Sequence, residues 1–135
     1  MSEMETILRN AMESRRSKAN VALTDLNNIV VEMSQAVAAV SDGRAKLVLQ
    51  KVRSTQENPV YALLFMSDDD ETEIRIFSLS ELGYPIYCSE SSIHFDNGIS
   101  KKLMSAAELR SELLPFLSDP ASKIVRLIEY ISVPI

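Results

Sequence analysis

A chain of 135 residues is about one domain long. With 46% hydrophobic and 24% charged residues it has the composition of a folded globule and not of a disordered tail. The formal net charge of −5 repels nucleic-acid phosphate and anionic lipid unless the cations gather on one face. The single cysteine excludes an internal disulfide, and the first residues do not read as a basic segment followed by an apolar one. A reducing, cytoplasmic setting is therefore the expectation.

Ser2-Glu3-Met4-Glu5 has the S-x-x-E form of a capping box and predicts a helix from about residue 3. Met4, Ile7, Leu8, Ala11 and Met12 line one face of it. The polar run from Glu13 to Lys18 then puts Arg15 where a heptad would want an apolar residue. Either the helix continues with its stripe interrupted, or a break separates a short helix of residues 3–14 from a longer one. The break is the expectation, although no Gly or Pro marks it.

The stretch from Ala19 to Val40 organises the rest. Ala19, Ala22, Leu26, Ile29, Met33, Ala36 and Val40 recur in steps of three and four, and Leu23, Val30 and Val37 widen the stripe. A stripe of that width suits a helix lying on a sheet, or between a sheet and a second helix. Asp25 and Glu32 on the polar side exclude a membrane span. Ser41-Asp42-Gly43 closes the helix, with glycine available for the left-handed conformation.

The period then changes from 3.6 to 2. Residues 46–53 read as a strand. Val60 to Met66 is apolar on both faces, as in a central strand covered on both sides. Asp68 to Glu71 forms an acidic hairpin loop. Thr72 to Leu79 alternates, with Ile74 and Ile76 on one face and Glu73, Arg75 and Phe77 on the other. Residues 84–88 and 92–95 read as two more short strands, with Pro85 at an edge or outside the ladder. Ser105-Ala106-Ala107-Glu108 is a second capping box, with Met104 and Leu109 at hydrophobic-staple spacing. Pro115 should bend or end that helix. Asp119-Pro120 should start the last one, with Asp as cap and Pro in the first turn. The class is α+β: a long N-terminal helix, an antiparallel sheet of four to five strands and two C-terminal helices in a single domain. In element order and acidic balance the chain resembles small dimeric secretion chaperones; this is a likeness of architecture that no residue motif carries.

Each candidate site has a plainer reading. Cys88, His94 and Asp96 would share a face across a hairpin centred on Ser91, as a thiolate, a base and a carboxylate. A buried cysteine acting as a small hydrophobe is the better reading. Asp68, Asp69, Asp70, Glu71 and Glu73 supply oxygens for a divalent cation but lack calcium-loop spacing, so a solvated tip is expected. Arg9, Arg15, Arg16 and Lys18 form the one basic cluster, with Lys46, Lys51 and Arg53 as a second candidate; the absence of aromatics among the first 60 residues speaks against nucleic acid. No catalytic residue, metal or cofactor is assigned. The expectation is a non-enzymatic, homodimeric protein–protein interaction module, adaptor- or chaperone-like, that meets its partner through Leu26, Ile29, Val30, Met33, Val37 and Val40. The alternative is a small-molecule-binding protein or enzyme. Its cavity would lie between sheet and helices, with Tyr61, Tyr84, Tyr87, Cys88 or His94 as polar groups.

Overall fold

A computed structural model describes residues 2–54, 58–68, 70–80 and 82–132. Helix α1 runs unbroken from Glu3 to Val40, 38 residues. Ser2 caps it, its side chain accepting from the Glu5 N–H at 3.1 Å. The expected break near residue 14 is absent. The interrupted stripe signals a change of surroundings and not of backbone: residues 2–18 are all exposed, so Arg15 on the stripe displaces nothing. At the other end Asp42 (φ 55°) and Gly43 (φ 77°) turn the chain left-handed, and the Gly43 N–H reaches the Ala38 carbonyl at 2.8 Å.

Five antiparallel strands follow: β1 (Ala45–Ser54), β2 (Pro59–Ser67), β3 (Glu71–Ser80), β4 (Gly83–Ser89) and β5 (Lys101–Leu103). They pair in sequence order, β1-β2-β3-β4-β5. Between β4 and β5 lies α2 (Ser92–Asp96), and the chain ends in α3 (Ala106–Leu113), α4 (Pro115–Ser118) and α5 (Lys123–Ser132). The arrangement is α+β, with every helix but the short α2 gathered at the two ends of the chain.

Three local expectations are corrected. Residues 92–95 are helical, and the fifth strand is Lys101–Leu103. Ser91 caps α2, and the Glu73 carboxylate of β3 accepts from the Ser92 N–H at 2.6 Å and the Ser92 hydroxyl at 2.7 Å. A carboxylate placed on the free N–H groups of the first turn favours helix over strand there.

Ile74 and Ile76 do not share a face. Leu63 pairs with Arg75 and Leu64 with Glu73, so β3 carries one extra residue, Ile74. That bulge shifts the alternation. Ile74 joins Phe77 and Leu79 under the helices, while Ile76 joins Val60, Ala62 and Leu64 on the opposite face. Both faces of β2 are buried, as its sequence suggested. Finally, the last helix begins at Lys123. Asp119 accepts from the Ala121 N–H at 2.9 Å and makes a turn, and Ser122 supplies the cap, accepting from Val125 at 3.2 Å.

Pro85 lies between Gly83, which pairs with Ser80, and Ile86, which pairs with Leu79. It thus sits outside the ladder of a strand that has neighbours on both sides. The second capping box forms as read, the Ser105 hydroxyl accepting from Glu108 at 3.2 Å. Pro115 ends α3 and opens α4.

The main core lies on one face of the sheet. Ala22, Leu26, Val30, Met33 and Val37 of α1 meet Leu47, Leu63, Phe65, Ile74, Phe77 and Ile86, with Leu109, Leu113, Phe116 and Ile124 from the C-terminal helices. Two polar contacts fix how α1 lies there. The Leu47 N–H donates to Ser34 Oγ at 3.0 Å, and the Tyr84 hydroxyl donates to Asp25 Oδ2 at 2.7 Å.

Candidate interaction surface

The body of the protein covers only part of α1. The β3–β4 turn touches the helix where it leaves the sheet: a Cβ added at Gly83 would lie 2.3 Å from the Lys18 carbonyl oxygen and 3.0 Å from the Ala22 methyl. Toward the N-terminus from that contact, residues 3–18 of the helix are all exposed. Residues 3–18 project about 24 Å at the helical rise per residue.

The projecting half carries its own apolar stripe, in line with the buried one. Eighteen residues make about five full turns. Met4, Leu8 and Met12 therefore stand directly in line with Ala22, Leu26 and Val30. The first set is open to solvent, Met4 at 82%, Leu8 at 62% and Met12 at 47%, with Ile7 beside them at 61%. The second set is buried. The stripe, interrupted by the polar residues 13–18, is thus buried in its C-terminal part and exposed in its N-terminal part. Four large apolar side chains at helical spacing on an uncovered rod make a contiguous patch of the kind that marks a contact surface.

The expected partner-facing residues divide by their burial within the protomer. Leu26, Val30, Met33 and Val37 belong to the protomer's own core, and a partner reaches them only by opening it. Ile29 is half-buried beside Glu32, Met33, Arg110, Leu114 and Leu117. Val40 is exposed, but at the far end of the helix. In the projecting part of the helix the exposed large apolar residues are Met4, Ile7, Leu8 and Met12. Their spacing was visible in the sequence; that the sheet stops short of them was not.

The basic side chains do not converge. Arg9 and Arg16 are two turns apart and share a side of α1, whereas Lys18 lies about 160° round from Arg16 at 100° per residue. Glu13 stands among them. A phosphate-binding surface needs its cations on one face.

The other candidates separate. Cys88 is buried in the main core, and burial first, then the nearby Glu112 charge, pushes its thiol up to about 12. His94 is on α2, its Nδ1 2.8 Å from Ser91 Oγ. The neighbouring Phe95 packs on the cluster at the opposite face of the sheet. A buried, protonated thiol and an imidazole held by Ser91 do not make a nucleophile and its base. Tyr61 and Tyr84 pack on the helix-side core. Burial, and then Asp25, raises the Tyr84 hydroxyl above its ordinary range. Tyr87 alternates with Ile86 and Cys88 and points to the other side. These polar groups do not surround one cavity.

At the acidic hairpin Asp68, Asp70 and Glu71 are exposed, Glu73 is held by Ser92, and Asp69 lies outside the described residues. Among the described residues no group of three His, Cys, Asp or Glu side chains could hold a metal ion, and no helix is long and apolar enough to cross a membrane. No protein-family model, curated protein or solved structure matches the chain.

Proposed function

We propose that the chain is a small, acidic, non-enzymatic protein–protein interaction module that acts as a homodimer in a cytoplasmic setting. One observation carries this reading: sixteen residues of α1 stand clear of the body with a stripe of Met4, Ile7, Leu8 and Met12 open to water. Covering such a stripe returns roughly 25 cal/mol per Å² of apolar surface. The fate of the chain's distinctive chemical groups is consistent with contact and not catalysis. Its thiol is buried, its histidine is held by a serine, and its carboxylates are solvated or engaged in hydrogen bonds.

Sedimentation of the purified chain through the micromolar range tests the reading. The expected mass is that of two chains. Leu8→Asp combined with Met12→Asp should bring it to one chain while leaving the buried half of α1 and the near-cooperative unfolding of the body intact. A wild-type protein that sediments as a single chain throughout overturns the homodimer.

A further inference from the structure

The sheet order makes β1 an edge strand, with β2 as its neighbour on one side. At its start the outer edge is closed by α1. Ser41 Oγ accepts from the Ala45 N–H at 3.0 Å, and Ser34 Oγ accepts from the Leu47 N–H at 3.0 Å. These two bonds fix the phase of the strand. In an antiparallel ladder a residue turns its N–H and its C=O to the same side, and successive residues alternate. The register against β2 is unbroken from Ala45 to Lys51. Leu49 and Lys51 therefore turn their N–H and C=O outward, as Ala45 and Leu47 do. Ala45 and Leu47 are buried, Leu49 is half-buried and Lys51 is exposed. Cover is lost along the strand as α1 crosses toward β4, where Ala22 meets Gly83. Where a third serine would stand, three residues before Ser34 on the same flank, α1 has Val31, 54% exposed.

This strand is also a local excess of positive charge in a chain of net charge −5. From Arg44 to Arg53 the sequence has four cations and no acid. Arg44, Lys46 and Lys51 are exposed. From Pro59 to Ser67 β2 has no Asp or Glu, so it cannot neutralise them across the ladder. Cations along an edge repel a second copy of the same strand. They attract an acidic one, because opposite charges on neighbouring strands stabilise the pairing.

We infer that the Leu49–Val52 end of β1 takes an acidic, extended segment of a partner protein as an added strand. Leu49 and Lys51 supply the main-chain bonds, Lys46 and Lys51 select for negative charge, and Val31 and Val52, both exposed, give apolar contact. Ser34 and Ser41 set where the added strand stops, since beyond Leu49 the outward N–H groups are already taken. The site lies on the body, apart from the Met4–Met12 stripe, and does not depend on the homodimer.

Amide hydrogen exchange on the full chain tests it, with a synthetic peptide of alternating valine and glutamate as the probe. Peptide at about ten times its dissociation constant should slow the Leu49 and Lys51 amides about tenfold and leave those of Ala45 and Leu47 unchanged. The same peptide with lysine in place of glutamate should leave all four unchanged. Lys46→Glu with Lys51→Glu, both at exposed positions, should weaken binding of the acidic peptide about tenfold, read at the Leu49 amide. Acidic and basic peptides that act alike overturn the charge selection on which the proposal stands. An acidic peptide that fails to bind, or binds without slowing Leu49, overturns the added strand. Slowing of Leu49 and Lys51 with rising protein concentration and no peptide would put a second copy on the edge and overturn the acidic partner.

Discussion

Gly83→Ala is the most exacting perturbation of the contact at which α1 leaves the body. Two separate costs act there. Gly83 has φ +88°, where a side chain is strained whatever the space around it, at about 1–2 kcal/mol. The new Cβ would also lie 2.3 Å from the Lys18 carbonyl oxygen, whereas real Cβ contacts essentially never fall under 3.0 Å, so a shift of at least 0.7 Å is forced. The obstructing atom is helix backbone with Ala22 close behind it, so the helix must move as a unit against a packed core. Overpacking of this kind costs about 1–3 kcal/mol. The sum, about 2–5 kcal/mol, is a large part of the stability of a domain this size. Gly43→Ala is the matched control: its φ is +77° and nothing lies within 4 Å of an added Cβ, so only the conformational cost applies. Both substitutions belong on the Leu8→Asp, Met12→Asp background, so that association does not enter the measured stability. Urea unfolding followed by far-ultraviolet circular dichroism gives the two free energies, compared at equal m-value. If Gly83→Ala costs no more than Gly43→Ala, the β3–β4 turn does not seat α1 and the boundary between covered and bare helix is misplaced.

Leu26 and Leu8 lie five turns apart on one stripe and should respond in opposite ways. Leu26→Ala should lower the stability of the monomeric background by about 2–5 kcal/mol, and Leu8→Ala in an otherwise wild-type chain should weaken self-association while changing protomer stability by under about 0.5 kcal/mol. Equal effects on stability would contradict the division of the helix. Ser105→Ala removes the α3 cap and should cost about 1 kcal/mol in urea unfolding; a loss of only a tenth or two would mean that the capping bond contributes nothing. The folded chain keeps the Cys88 thiol protonated up to about 12, while the unfolded chain loses that proton near 9.0. Stability attributable to the buried thiol is complete below 9.0 and declines as pH rises toward about 12, because the unfolded state deprotonates first. Cys88→Ala should remove that decline, read as the difference between the two proteins' unfolding midpoints across the interval; identical pH profiles would refute the assignment.

What was legible in the sequence was local. Ser2 and Ser105 cap their helices as their spacing implied, Gly43 stops α1, Pro115 ends α3, and the two-faced apolar run of β2 is buried on both sides. What failed depended on residues far along the chain. Ser92 becomes a helix start because Glu73, nineteen residues earlier, reaches its N–H. Ile74 changes face because β3 takes an extra residue against β2, and alternation alone carries no sign of a bulge. The supposed break in α1 came from reading Arg15 as a defect in packing, when the helix is exposed at that level and continues through it. The candidate surface shows the same limit. The two apolar stretches, Met4–Met12 and Ala19–Val40, were readable, but which of them the sheet covers is set by strand length and by where Gly83 meets Lys18.

The uncovered half of α1 also has a stability problem that bears on how the molecule works. A free helix of this length is marginal in water, because nucleation is unfavourable and each further residue adds little. Here nucleation is already met by the packed turns from Ala22 to Val37, so the helix need only propagate outward. Outward propagation past Lys18 gains no tertiary contact in a lone protomer, and each residue held there costs backbone entropy of about 1–2 kcal/mol against one hydrogen bond. Burial of Met4, Ile7, Leu8 and Met12 against a second stripe supplies the missing term. Helix order in residues 3–17 and self-association should therefore rise together. Amide hydrogen exchange measured at several protein concentrations reads this directly. Amides of residues 6–17 should exchange quickly in dilute protein and slow as concentration increases, while those from Ala22 to Val37 stay protected throughout. Leu8→Asp with Met12→Asp should hold the first group fast at every concentration. Uniform protection of residues 6–17 at the lowest concentration would mean that the rod is stable without cover, and the physical reason for a second copy would be gone.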